Sequence, residues 1–370
     1  MGSSDLTKKR NANMDLLRMI SMMMVTVLHA LGKSGLLLPM SGDLNLNGWL
    51  AWGLECLSIG AVNIFMLLSG YFLIFSEFKI PRLLEIVFQT FFYTFGTFLF
   101  FEATGKLSGE KQGIYELLQY ALPIHMDVYW FVTVYVVLYL FLPVLSNGVK
   151  NITQKQMKIM ILCLVIYGCF FKSFLPFHLA VDKRGYSFLW YLTLFLIGAY
   201  FRLYGFAFLK KAWQGWLIFL LGTIGIYAEI YVINWINART GRLAELLQIS
   251  LDYNHVFVLA ASVGIFEAFL LGKQLPVKLG KVVCALSPMA LGVYLFQENP
   301  LLRYEWQKWF GLQGALQEGT ALFLCRVLGA VLAMYTLGTA IDFARRMLFR
   351  FVGKGCGLGF RKSEKGNKEC

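Results

Sequence analysis

Arg18 and His29 lie eleven residues apart inside one apolar run at 14–31. If that run is a helix, 100° per residue puts both side chains on one face, about 16 Å apart. Asp15, three residues before Arg18, is spaced to pair with it. An imidazole titrates near neutral pH and is the usual base for a hydroxyl nucleophile, and a guanidinium stabilises an anion or developing negative charge in a low-dielectric groove. Ionisable groups inside a membrane span cost about 3 kcal/mol each at the bilayer centre and tend to mark pathways or reaction sites. The same pattern is open to a plainer reading, with Arg18 snorkelling to a boundary and His29 hydrogen-bonded in the packing.

These residues are positioned by helices that need lipid as their solvent. Of 370 residues, 58% are hydrophobic and 15% charged, too apolar a mix for a polar shell to cover. A helix takes about 20 apolar residues to cross a hydrocarbon core of about 30 Å. That ruler predicts spans near 13–32, 50–75, 83–101, 128–146, 157–174, 187–205, 213–235, 253–272, 282–297 and 318–341. The ninth follows Ser287-Pro288, where a kink is expected. The expected fold is an all-α integral membrane bundle of about ten transmembrane helices.

Charge sets the expected orientation. Lys8-Lys9-Arg10, Lys79 with Arg82, Lys150 to Lys158, Lys210-Lys211 and Lys273 to Lys281 fall on alternate loops. The positive-inside rule makes those loops cytoplasmic, together with both termini, in a cell membrane. The net charge of +13 is thus spread between apolar runs rather than gathered on a nucleic-acid-binding face, and no nucleic-acid partner is expected. Residues 346–370 read as a basic, disordered cytoplasmic tail facing lipid. The nine tryptophans fall at or near span ends, as in an interfacial belt, and 113–122 reads as an amphipathic helix at the surface. The seven cysteines lack metal-ligand spacing, so neither a metal nor a disulfide framework is expected.

Further polar residues sit in or beside the spans. Glu55, Asn63 and Ser69 lie along the second; Glu55 and Asn63 differ by about 80° and share a face only loosely. Glu55 suits either an acceptor contact or a wet vestibule, and Ser69-Gly70 also suits close helix packing. On the outer side are His125, Asp127, His178, Asp182, Lys183, Arg184 and His255, none expected to be catalytic. Glu298, followed by Arg303 and Glu305, is a stronger vestibule candidate.

Several motifs together resemble one family. The Arg, ten residues, His pattern of Arg18 and His29 is similar to that in the first helix of the membrane acyltransferase 3 family. Residues 63–72, NIFMLLSGYF, resemble its second span, and Tyr129-Trp130-Phe131 with 139–143, YLFLP, its fourth. Residues 185–190 with 197–200 are similar to the sixth span and 292–300, GVYLFQENP, to a late one. The resemblance covers residues 10–345 and is nearest in character to Gram-positive surface-polysaccharide O-acetyltransferases; it makes 1–345 the transmembrane acyltransferase domain. Relatives often carry His where this chain has Gln297, which keeps hydrogen bonding but loses proton transfer.

The resemblance implies transfer of an acyl group, acetyl by default, from acyl-CoA to a hydroxyl of a cell-surface glycan or lipid-linked sugar. Acetyl-CoA is then a donor substrate and no cofactor is retained. His29, Arg18 and Asp15 become the catalytic candidates. Arg18, Lys79, Arg82 and Arg202, with Lys210 and Lys211, become candidates for the CoA phosphates. Glu55, Asn63, Ser69, Tyr129, Trp130, Gln297 and Glu298 become candidates for substrate contact. A transporter of a small polar solute or glycan precursor is the alternative, although no inverted repeat or matched pair of broken helices is visible.

Overall fold

Apolar segments without water to satisfy their backbone must close their hydrogen bonds internally. In the computed structural model, which describes residues 10–39, 44–107, 113–174, 183–206, 209–241 and 246–355, the regular elements among those residues are all helical. Helix α1, Ala12–Ser34, is started by Asn11, whose side chain accepts from the amides of Asn13 and Met14, and is stopped by Gly35. Helices α2, Leu46–Ser58, and α3, Ala61–Leu73, make one 28-residue span interrupted at Ile59-Gly60. Helix α4 is Ile80–Ala103, and α5, Ile114–Ala121, is the short amphipathic helix expected, with Ile114, Tyr115, Leu117 and Leu118 exposed.

The fourth span is broken. Helices α6, Trp130–Leu140, and α7, Leu142–Asn151, meet at 57°, where Pro143 opens α7 and cannot continue the hydrogen bonding of α6. Helix α8, Gln154–Val165, passes through a π-turn at Ile166–Phe170 into α9, Phe171–Phe174. Then come α10, Phe188–Tyr204; α11, Ala212–Thr240; α12, Leu246–Ser250; and α13, Val256–Leu270. Helix α14, Val277–Leu286, is joined to α15, Ala290–Gln297, by the 3-10 turn Ser287–Met289, at the expected kink. Helices α16, Trp306–Trp309, and α17, Thr320–Gly355, complete the chain.

Among the described residues seven helices are long and apolar enough to cross a membrane, or eight if α6 and α7 count as one. The protein is a multi-pass membrane protein. The spans expected at 187–205 and 253–272 are occupied by α10 and α13, of 17 and 15 residues, which fall short of the roughly 20 that a straight crossing takes.

Close approach of helix backbones fixes the interior. A Cβ on Gly70 would stand 2.0 Å from the Phe195 carbonyl oxygen, and one on Gly198 would stand 2.2 Å from that of Leu67. Glycine at both positions lets α3 and α10 touch along their length, the small-residue contact that replaces hydrophobic driving force in lipid. The pairs Asn63 with Trp190 and Tyr71 with Arg202 show these two helices running in the same direction. Helix α1 runs alongside α14 and α15 in the same sense, while α17 runs against α15, with Arg346 at Pro288, Asp342 at Gly292 and Gly338 at Val293.

Two expectations need correction. Helix α17 continues to Gly355, so the tail expected from 346 begins as helix; Arg345 and Arg346 turn back to grip the buried carboxylate of Asp342, one turn earlier. Residues 356–370 lie outside the described residues. The tryptophans are not one belt. Trp213, Trp216, Trp235 and Trp309 are exposed as interfacial residues should be, but Trp52, Trp190 and Trp306 are buried. Trp190 is drawn inward because its indole N–H donates to Asn63 Oδ1 at 3.1 Å.

Candidate active site

Helix α1 is packed on by α2, α3, α13, α14, α15, α16 and α17. Its uninterrupted α-helical course keeps Arg18 and His29 on one stripe, about 16 Å apart along the axis. Leu17, Ser21, Thr26 and Ala30 on the same helix are completely buried, whereas the side chains of Arg18 and His29 keep 31% and 19% of their surface. Both side chains thus keep open surface on a helix that seven others pack against. Met22 and Val25, between the two on the stripe, pack into a cluster with Tyr129, Val132, Val136 and Tyr294.

The lower end of the stripe is an ion-pair network. Arg18 Nη1 donates to Asp15 Oδ1 at 2.7 Å, the pairing expected from their spacing, and to Ser287 Oγ at 3.1 Å. Ser287 in turn donates to Asp15 Oδ1 at 2.7 Å, and Arg10 Nε approaches Asp15 Oδ2 at 2.6 Å. Asp15 is thus a buried anchor that fixes the guanidinium. Ser287 reaches it because the 3-10 turn breaks the ninth span at that level. Arg82 and Tyr135 are near enough to act on Arg18 electrostatically.

At the upper end Glu298, immediately after α15, gathers three basic residues. Its Oε2 lies 3.3 Å from His29 Nδ1 and also takes the ammonium of Lys33, and its Oε1 lies 3.6 Å from Arg303 Nη1. Burial alone would raise the Glu298 carboxyl, but His29, Lys33 and Arg303 outweigh it and hold it below the ordinary carboxylate range. The His29–Glu298 approach is close yet off the line of a hydrogen bond, which leaves Nδ1 without a hydrogen-bond partner among the described residues. Gln307 Nε2 donates to the His29 carbonyl at 3.2 Å and to that of Arg303 at 2.9 Å, tying the chain after α15 to α1. The imidazole is 6.4 Å from the Tyr294 ring, whose hydroxyl is buried and also lacks a partner among the described residues.

Among the candidates for anion contact, Arg82 and Arg202 lie against aromatic rings. Arg82 lies 5.9 Å from the centroid of Tyr139, and the Lys79 amide donates to the Tyr139 hydroxyl at 3.1 Å. Arg202 donates to the Tyr71 hydroxyl at 3.2 Å and stands 5.6 Å from the Phe75 ring, which Lys150 also approaches at 5.6 Å. Lys210 and Lys211 are exposed and give their amides to Gln214.

The remaining candidates separate. Gln297 is fully buried, with Nε2 at 3.7 Å from Met22 Sδ and Oε1 unpartnered among the described residues, so it does face the stripe. Tyr129 is fully buried and donates to the Leu295 carbonyl at 2.9 Å, bracing α15. Asn63 is spent on structure, donating to the Tyr253 carbonyl at 2.7 Å while accepting from Trp190. Ser69 donates to Phe65 O one turn back, at 2.8 Å. Glu55 is buried with Oε2 unpartnered among the described residues. His255 faces Glu229 at 3.3 Å, and Glu305 pairs with Lys308. His125 and Asp127 are exposed, and His178 and Asp182 lie outside the described residues.

Lys33, Tyr294, Ser287 and Gln307 were missed in the sequence. Lys33 carried a signal, since it follows His29 by one turn on the same face. Ser287 and Gln307 carried none, because their contacts join distant parts of the chain. Among the described residues no group of three or more His, Cys, Asp or Glu could hold a metal ion.

No curated protein and no solved structure matches the chain. A family model described as an acyltransferase domain matches residues 11–339. That stretch contains the whole stripe, the Glu298 network, the Asp15 network apart from Arg10, and Lys79, Arg82 and Arg202. With nearly the entire membrane domain inside the match, the chain belongs to the membrane acyltransferase 3 family and is an acyltransferase.

Proposed function

We propose that this protein is a membrane-embedded O-acyltransferase that moves an acyl group, acetyl in the simplest case, from acyl-CoA to a hydroxyl of a cell-surface glycan or lipid-linked glycan precursor. The observation that carries this is the pairing of a fixed guanidinium and a partly exposed imidazole on one stripe of an otherwise enclosed helix. The CoA phosphates meet Lys79, Arg82 and Arg202 at the cytoplasmic mouth, and the thioester arm rises past Arg18. His29 takes the proton of the acceptor hydroxyl as its oxygen attacks the thioester carbonyl. A C–O bond forms and the C–S bond breaks. CoA leaves as a thiolate and recovers the proton from the imidazolium, while Arg18 balances negative charge along the path. Asp15 and Ser287 position Arg18.

In this reading α10, α13 and the joined α6–α7 each cross the membrane, giving ten crossings of a cell membrane with both termini cytoplasmic. The parallel course of α3 with α10, and of α1 with α14 and α15, supports that alternation, as do the loop charges. The test is deletion of the gene followed by mass spectrometry of ester-linked acyl groups on surface glycans. Loss of a defined ester, restored by the wild-type chain, supports the reading; an unchanged ester profile removes the glycan acceptor.

A further inference from the structure

The proposed reaction leaves one part of the molecule unexplained. Trp130 and Tyr186 meet at 4.5 Å between ring centroids with their planes 59° apart, forming an aromatic corner; Tyr186 is 42% exposed. Tyr253 closes the floor, 4.9 Å from Tyr186 and 6.0 Å from Trp130. Rings continue inward from the corner, Trp130 to Phe131 at 6.0 Å, Phe131 to Tyr294 at 6.1 Å, and Tyr294 to His29 at 6.4 Å. An aromatic wall thus joins an exposed corner to the imidazole.

Exposed Trp and Tyr near a membrane end are usually interfacial anchors. Two independent observations separate this corner from a belt. Among the described residues the non-glycine positions with left-handed backbone are Asp127, Lys183 and Arg184, at φ 51°, 44° and 56°. All of them sit within three residues of Trp130 or Tyr186. The Arg184-Gly185 backbone is held there, since the Tyr253 amide donates to Arg184 O at 3.3 Å and a Cβ on Gly185, at φ 78°, would stand 2.7 Å from the Asn254 nitrogen. Strained backbone persists where the surroundings over-determine it, and it clusters at binding sites. The second observation is a line of buried polar tips without a partner among the described residues, namely Glu55 Oε2, Tyr191 OH and Tyr294 OH. The Tyr191 ring lies 5.9 Å from that of Trp130 and 6.2 Å from that of Phe131, and the Glu55 carboxyl is within electrostatic reach of Tyr186 and Tyr253. Buried polar groups that no protein atom satisfies suit a ligand that brings its own donors and acceptors.

We propose that the Trp130–Tyr186 corner, floored by Tyr253 and flanked by Glu55 and Tyr191, is a subsite for a pyranose ring of an oligosaccharide acceptor. A pyranose has an apolar C–H face to lie on an aromatic plane and a rim of hydroxyls to satisfy Glu55 and Tyr191. With one ring held in the corner, the next residue of the oligosaccharide extends along the aromatic wall toward His29. This assignment rests on the acyltransferase reading above for its orientation, and on the corner itself for its ligand.

The test uses the full-length protein in lipid nanodiscs, titrated calorimetrically with cellotetraose, chitotetraose and maltotetraose, while consumption of acetyl-CoA is measured separately on the same preparation. Wild type is expected to bind at least one of the three. Tyr186→Ala and Glu55→Gln should weaken that binding at least tenfold, Tyr186→Phe should retain it, and Trp213→Leu, at an exposed anchor remote from the corner, should leave it intact. Tyr186 is exposed, so its variants test the corner even if a Trp130 substitution fails to fold. Equal binding by wild type and Tyr186→Ala overturns the subsite, as does a wild-type protein that consumes acetyl-CoA yet binds none of the tetrasaccharides. A wild type that binds a tetrasaccharide through Tyr186 but consumes no acetyl-CoA upholds the subsite and removes the acyl-CoA reaction instead.

Discussion

Glu298 Oε2 lies 3.3 Å from His29 Nδ1 and takes the ammonium of Lys33, so the residue that follows α15 is fastened to the end of α1 beside the candidate base. The sharing of one oxygen between imidazole and lysine makes this corner both a support for the fold and a setting for the chemistry.

The first prediction concerns pH. The Glu298 carboxyl sits below its ordinary value, so its ion pairs contribute stability that is fully present above the unfolded-state value of about 4 and is lost as pH falls through the lower folded-state value. Thermal unfolding in nanodiscs should show an acid-side loss for wild type that Glu298→Gln lacks. At neutral pH Glu298→Gln should be less stable by about 3 kcal/mol, because Lys33 and Arg303 lose their counter-ion. Superimposable pH profiles for the two proteins would contradict this.

Asp15 holds the Arg18 guanidinium at 2.7 Å and, in the proposed reaction, positions it without touching substrate. Asp15→Asn keeps the shape but weakens the grip on Arg18 and Arg10, and should lower kcat about tenfold to a hundredfold with a smaller change in donor KM. Ser287→Ala removes one hydrogen bond to each partner and should cost about 1 kcal/mol of stability with a milder loss of rate. Steady-state kinetics with acetyl-CoA varied separate these outcomes; a rise in KM alone would make Asp15 part of the donor site.

Asp342 has a structural task. It is completely buried and accepts from Gln89 and Tyr93, both at 3.1 Å, from Arg345 at 2.7 Å and from Arg346 at 2.9 Å. Asp342→Ala strands two guanidinium groups and should destabilise the protein by about 3–5 kcal/mol. Asp342→Leu combined with Arg345→Leu and Arg346→Leu should regain much of that loss in a thermal melt. Failure of the triple variant to recover would show that the network does more than neutralise buried charge.

The sequence made the membrane bundle legible because span length is a strong, local signal, and Ser287-Pro288 marked a real break. The interruption at Ile59-Gly60 and the π-turn at Ile166–Phe170 were not legible, since nothing in those apolar residues forbids continuous helix. Asp15 with Arg18 was readable as an (i, i+3) pair, and the helical spacing of Asp342 with Arg345 and Arg346 would have kept Arg346 out of the tail. The Glu298 clasp on His29 joins opposite ends of the chain, and no spacing rule reaches that far. Asn63 looked like a ligand contact because a polar residue in a span suggests function; the fold instead uses it to hold Trp190 and Tyr253.

In the proposed reaction His29 and Arg18 act together on an acyl thioester inside the bundle. Release of CoA thiol from acetyl-CoA by the purified protein in nanodiscs, with a surface-glycan extract as acceptor, tests it most directly for wild type, His29→Ala and Arg18→Ala. Wild type should release thiol, and either variant, folded and inserted, should lose at least a hundredfold in rate. Wild-type rates in His29→Ala would contradict it.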